Sequence, residues 1–166
     1  MYKAAGALMI IAAFSFVGYS FCRALGRRCS SLEEFRKLFS LLRSEISLKL
    51  TPLEKAFAAI GSQYGNSCFI LCADKLPELG AQEALINALK STASEYMLRG
   101  EDIELLSAAA VGLGKCDLKN QLKHLDYAVS LIDNSIVRAK KEREEKSRLF
   151  MNGAVLSGVM LTLMLL

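Results

Sequence analysis

His124 is the single histidine of this 166-residue chain. A histidine is the side chain best suited to move protons or hold a metal near neutral pH. This one stands apart from other chemistry. Lys123 is beside it, Asn120 and Gln121 lie one turn back, and no cysteine or carboxylate cluster completes a ligand set. It reads as a surface or structural residue. Val111-Gly112-Leu113-Gly114-Lys115 invites comparison with a phosphate loop, which needs G-x-x-x-x-G-K-[ST] after a strand. Ala109 stands where the first glycine belongs, and Cys116 where serine or threonine belongs. The segment reads instead as a helix end with a left-handed glycine and a tight turn.

Five cysteines remain: Cys22, Cys29, Cys68, Cys72 and Cys116. Cys68 and Cys72 share a helix face, but no second pair accompanies them as a zinc site requires. They read as small buried apolar residues, kept reduced. Cys22, at the edge of an apolar run, is a candidate for palmitoylation. No catalytic, cofactor-binding or metal residue is expected, and the chain is read as non-enzymatic with no cofactor.

The distribution of charge shows what must position these residues. The chain is 52% hydrophobic and 23% charged, with a mean hydropathy of +0.29. All 17 acidic residues fall between Glu33 and Glu145, and every basic residue except Lys3 falls between Arg23 and Arg148. Ala4 to Cys22 and Leu149 to Leu166 are therefore free of charge. As helices rising ~1.5 Å per residue, each approaches the ~30 Å hydrocarbon core of a bilayer. A cleaved signal peptide fits the first run less well. Its basic start is only Lys3, its apolar run is long, and it ends in Arg23, Arg27 and Arg28 without an A-x-A-like site. This pattern excludes a plain soluble globule and a disordered chain.

Topology follows from the flanks. Arg23, Arg27 and Arg28 follow the first run, and Lys140, Lys141, Arg143, Lys146 and Arg148 precede the second. Positive charge gathers on the cytoplasmic side. The expected organisation is an N-terminal transmembrane helix (1–25), a cytoplasmic helical bundle (26–148) and a C-terminal transmembrane helix (149–166). Small residues in both runs, such as Gly18, Gly153 and Gly158, suit close helix packing in lipid.

The middle reads as all-α, an antiparallel bundle of about six helices. Ser31 is expected to cap a helix carrying Leu32, Phe35, Leu38, Phe39, Leu42, Ile46 and Leu50 at helical spacing. Thr51-Pro52-Leu53-Glu54 has the form of a capping box, opening a helix that ends between Gly61 and Gly65. Cys68 to Leu76 and then Ala81 to Met97 are further helical stretches, parted by Pro77 and Gly80. Glu101 and Asp102 open another. Asp117 caps the last helix, with Leu118, Leu122, Leu125, Val129, Ile132 and Ile136 on one stripe and no breaker before Gly153. The mixed-sign run from Arg138 to Arg148 suits a solvated helix and argues against nucleic acid.

These features resemble the stage III sporulation protein AB family of endospore-forming Firmicutes over essentially the whole length. The carriers are the N-terminal run, Leu41-Leu42-Arg43-Ser44-Glu45-Ile46, Thr51-Pro52-Leu53, and Gly112-Leu113-Gly114-Lys115-Cys116-Asp117 with Gln121, Leu122 and His124. The C-terminal run with Gly153 and Gly158 also fits, whereas Cys116 departs from the family's serine-like residue. The resemblance implies a scaffold of the channel complex between mother cell and forespore, in the outer forespore membrane. Its soluble domain is similar to the cytoplasmic domain of type II secretion and type IV pilus platform proteins. By that analogy the partners are the secretion-ATPase-like stage III sporulation protein AA and other membrane subunits, with no nucleic acid and no small-molecule substrate. Arg43, Glu45, Lys115, Asp117 and Gln121 are the expected partner contacts. A membrane-tethered adaptor for a cytoplasmic regulator is the competing function. A membrane enzyme would need ionisable residues inside a span, and neither run has any.

Overall fold

In the computed structural model the backbone of residues 2–114 and 117–165 is described. Near the ends, the side chains of residues 2–8, 10, 11, 151, 154, 155, 158, 159 and 161–165 fall outside that description. Among the described residues there are five α-helices and no strand: α1 (Tyr2–Lys49), α2 (Leu53–Tyr64), α3 (Ser67–Thr92), α4 (Gly100–Ala108) and α5 (Leu118–Leu165). The chain divides into two compact units, residues 30–136 and residues 1–29 with 137–166.

Five helices replace the larger expected number because the expected start at Ser31 is absent and the expected break near Pro77 and Gly80 is a kink within one helix. Ser31 is a buried mid-helix residue of α1, not a cap. Leu25, Cys29, Leu32 and Phe35 are buried at three- and four-residue steps. Keeping that stripe helical outweighs the ~1 kcal/mol that a cap contributes. The stretches on either side of Pro77 count as one helix, α3, bent where Gly80 takes φ 76° and ψ 163°. Its second half ends at Thr92 rather than Met97, through a turn in which the Leu98 N–H donates to the Ala93 carbonyl at 2.9 Å. The expected unbroken last helix is observed as α5.

In the unit 30–136, α1 and α5 run antiparallel. Arg36 pairs with Asp133, and Arg43, seven residues on, pairs with Asp126, seven residues back. Between them lie Leu32, Phe35, Phe39, Leu42 and Ile46 of α1 and Leu125, Ala128, Ile132 and Ile136 of α5, all buried. The spacing is that of a coiled-coil seam.

α2 and α3 form a tight hairpin against α1. Gly65 ends α2 in the left-handed conformation at φ 65° and donates its N–H to the Gly61 carbonyl. Asn66, fully buried, opens α3. Its Oδ1 accepts the Phe69 N–H at 3.0 Å, and its Nδ2 donates to Glu34 Oε1 on α1 at 2.7 Å. Phe69 then stacks among Phe57 (4.9 Å between centroids), Phe39 (5.6 Å) and Phe35 (6.5 Å). Four buried phenylalanines, at about 1.5–3 kcal/mol each, anchor three helices to one another. Tyr96, edge-on to Phe35 at 5.2 Å, accepts the Ser67 N–H at 3.1 Å. It thereby fixes the same end of α3. The α4 cap is local, with the buried Asp102 carboxylate accepting the Arg99 N–H at 2.9 Å.

In the unit 1–29 with 137–166, the facing parts of α1 and α5 also pair. Phe21 and Phe150 lie 4.0 Å apart between centroids, Cys22 Sγ accepts from Ser147 Oγ at 3.1 Å, and buried Arg28 holds Glu142 at 2.8 Å. Among the described residues no helix is long and apolar enough to cross a membrane. The expected spans, Ala4 to Cys22 and Leu149 to Leu166, thus gain no support from the described residues.

Candidate partner-contact surface

Four of the expected contact residues, Arg43, Glu45, Asp117 and Gln121, lie toward one end of the unit 30–136. That end is formed by the last turns of α1, the start of α2, the 109–114 turn and the first turns of α5. Gly112 and Gly114 turn the chain there with φ of 82° and 75°, as the left-handed glycine reading expected. A Cβ on Gly114 would lie 3.9 Å from Leu53, which places this turn beside the start of α2.

Arg43 is already engaged. Its Nε and Nη2 donate to the two oxygens of Asp126, the second at 3.1 Å, and this bonding raises the guanidinium above its ordinary range. Glu45 faces another direction. It accepts from Lys49 Nζ at 2.7 Å and from Thr51 Oγ1 at 3.5 Å. The Thr51 hydroxyl therefore closes no capping box. Pro52 takes the cap position of α2 at φ −53°, and its carbonyl accepts the Ala56 N–H at 3.0 Å. Asp117 precedes α5 and its carbonyl accepts the N–H groups of Asn120 and Gln121. Its carboxylate accepts from the Asn120 side chain at 2.6 Å rather than from a backbone N–H. The side-chain cap expected of Asp117 is thus replaced by a side-chain pair. Gln121 is half-buried in the next turn. Lys115 and Cys116 lie outside the described residues.

The sequence reading missed what surrounds these polar groups. Leu50 was expected on the buried stripe, yet it is 70% exposed and held at φ 50°. The cause is local. Pro52 keeps Thr51 out of the helical region, so α1 stops at Lys49 and Leu50 swings into the left-handed region, which costs a branched side chain about 1–2 kcal/mol. Leu48 is 80% exposed, and Val111 and Leu118 are exposed as well. Leu-x-Leu before Thr-Pro was the available signal: a helix forced to end there leaves apolar side chains beyond its buried face. Asp126 was missed because only its partner across the bundle marks it.

Among the described residues no group of three or more His, Cys, Asp or Glu could hold a metal. Among the described residues no buried side-chain nitrogen or oxygen lacks a hydrogen-bond partner. Cys68 and Cys72 are buried, as expected, and burial pushes both thiols up to about 12. They are therefore protonated and unreactive at neutral pH. The described residues of this end offer exposed apolar side chains, Leu48 and Leu50, on either side of the Lys49–Glu45 ion pair in sequence.

Comparison with known proteins agrees with the sequence resemblance. The chain is 25% identical to stage III sporulation protein AB of Bacillus subtilis (strain 168) over 171 residues, covering all of both chains. It shares its fold with a solved structure titled stage III sporulation protein AB (SpoIIIAB), with a TM-score of 0.65 at 24% identity over 72% of this chain and 98% of that one. The sequence model of the family described as stage III sporulation protein AB matches residues 3–166, and the chain belongs to that family.

Proposed function

We propose that this chain is a non-enzymatic membrane scaffold of the mother cell–forespore channel complex. In this reading both chain ends anchor in the outer forespore membrane, and the helical unit 30–136 stands in the mother-cell cytoplasm and docks a secretion-type ATPase. One observation supports the anchoring most directly. Several described apolar side chains of the two ends are turned outward, with Phe16 70%, Val17 67%, Leu156 68% and Met160 76% exposed. An apolar surface of that kind bordered by basic residues is what lipid-facing helices present. The uncharged runs 4–22 and 149–166 supply the length. The docking part rests on the end of the unit 30–136, where Leu48 and Leu50 are exposed in the same stretch of chain as Arg43 and Glu45 and where Asp117 and Gln121 open α5.

Carbonate extraction of membranes from cells expressing the full chain tests the anchoring: retention is expected, and release overturns it. Calorimetry of the full chain in neutral detergent against purified stage III sporulation protein AA tests the docking. Micromolar binding is expected, weakened about tenfold or more by Leu50→Gly, as for a central apolar anchor. Absence of binding overturns the ATPase reading and favours a membrane-tethered adaptor.

A further inference from the structure

Charge is divided unevenly between the two units. Residues 1–29 with 137–166 carry ten basic and three acidic side chains, a formal +7, whereas residues 30–136 carry −3. One of the three acids, Glu142, is held between Arg28 at 2.8 Å and Lys146 at 2.6 Å. Two grooves lie next to this excess of positive charge. The first, about 410 Å³, is lined by Lys140, Arg143, Glu144, Ser147 and Arg148. The second, also about 410 Å³, runs between the helices, with Phe14, Val17 and Gly18 from α1 and Phe150, Gly153 and Ser157 from α5. They are linked along one face of α5, since Arg143 of the first and Phe150 of the second are seven residues, two helical turns, apart.

We propose that the two grooves together hold one anionic phospholipid, with its phosphate on Arg143 and Arg148 and an acyl chain between Val17 and Gly153. The proposal rests on the membrane reading above. Gly153 lies four residues beyond Leu149, about 6 Å along the helix into the uncharged run, where the upper part of an acyl chain sits when its phosphate is at the arginines. Glu144 is the one acid lining the basic groove, and three cations line it with it, so an anion is favoured over a zwitterion. The apolar groove has room, since a Cβ on Gly153 would meet no atom within 4 Å. A groove that is basic at one end and apolar at the other matches an anionic amphiphile in both parts.

Native mass spectrometry of the full chain, released from neutral detergent with phosphatidylglycerol or phosphatidylcholine supplied, tests the site. One phosphatidylglycerol retained per chain, and little phosphatidylcholine, is expected. Arg143→Gln and Arg148→Gln are expected to lower retention about fivefold per charge removed. Gly153→Leu, which fills the apolar groove, is expected to lower it as well while carbonate extraction stays unchanged. Should Gly153→Leu fail to fold, Ser157→Leu fills the same groove one turn on. Equal retention of the two lipids overturns the proposal. So does loss on charge removal with none on groove filling, which is surface attraction alone. Displacement by inorganic phosphate overturns it too, since that marks a free-phosphate site. If the chain is retained in carbonate but shows no lipid preference, only this site fails. If carbonate releases it, the membrane reading fails and the site with it.

Discussion

Arg43 on α1 and Asp126 on α5 form a two-pronged ion pair between residues 83 positions apart, both donors of one guanidinium edge meeting both carboxylate oxygens. The side chains are 42% and 55% exposed, so water and salt weaken the attraction. The pair clasps α1 to α5, at a register the buried core sets, at the end where a partner is proposed to dock. Arg43 therefore has a structural task whether or not it also touches a partner.

A double-mutant cycle with Arg43→Ala and Asp126→Ala in urea unfolding should give a coupling of about 0.5–1 kcal/mol, shrinking as salt is raised. If Arg43 acts only through this pair, Asp126→Ala will affect partner binding as much as Arg43→Ala. A loss confined to Arg43→Ala would instead show direct contact.

Gly61 marks a close approach of α2 to α3. A Cβ there would sit 2.8 Å from the Ile70 nitrogen and 2.9 Å from Ile70 Cγ1. Gly61→Ala should cost about 1–3 kcal/mol through overpacking. Gly65→Ala meets no neighbour and suffers only its positive φ of 65°, about 1–2 kcal/mol. Thermal unfolding of both should place Gly61→Ala at or below Gly65→Ala. A Gly61→Ala melt equal to wild type would contradict the crossing.

Asn66→Ala removes the α3 cap and the donor to Glu34, and should cost about 1–3 kcal/mol. Asn66→Asp keeps an acceptor for the Phe69 N–H but sets a second carboxylate against Glu34. Like charges that cannot both ionise favour the protonated form in the folded state. The stability of Asn66→Asp should therefore be higher in mild acid and be lost as pH rises, opposite to most carboxylates. Urea midpoints across the acid range decide it.

Burial raises the folded values of Cys68 and Cys72 from 9.0 to about 12. The sign follows from linkage. Below pH 9 both states hold the proton, and the stability of the buried thiols is fully present. Between pH 9 and about 12 only the unfolded state deprotonates, so stability falls as pH rises, by up to about 1.4 kcal/mol per thiol per pH unit. A variant carrying Cys68→Ala and Cys72→Ala should lose less across that window. Equal slopes would place the thiols in water.

Leu50→Gly should stabilise the fold by about 1 kcal/mol, because glycine accepts φ 50° without strain and the lost side chain is largely exposed. If Leu50 is kept for its partner, the same change weakens binding. Higher stability with unchanged binding would remove Leu50 from the contact surface.

Much of this architecture was determined by the sequence alone. The all-α class, the buried stripes of α1 and α5 and the turns at Gly65, Gly80, Gly112 and Gly114 follow from spacing and from residues that break helices. Those signals act within a few residues, so they survive without knowledge of the fold. The tertiary structure decided what local signals leave degenerate. Ser31 has the chemistry of a cap, yet it lies inside α1 because Leu25 and Leu32 share one buried stripe. Thr51 has the place of a cap, yet its hydroxyl meets Glu45. Arg43 looked available until the register of two antiparallel helices brought Asp126 to it. Asn66 became the link between α1 and α3 only when Glu34 was packed against it. Each of these outcomes depends on which helices touch and at what offset. That is set by the summed burial of the aromatic core around Phe69, and no short stretch of sequence encodes it.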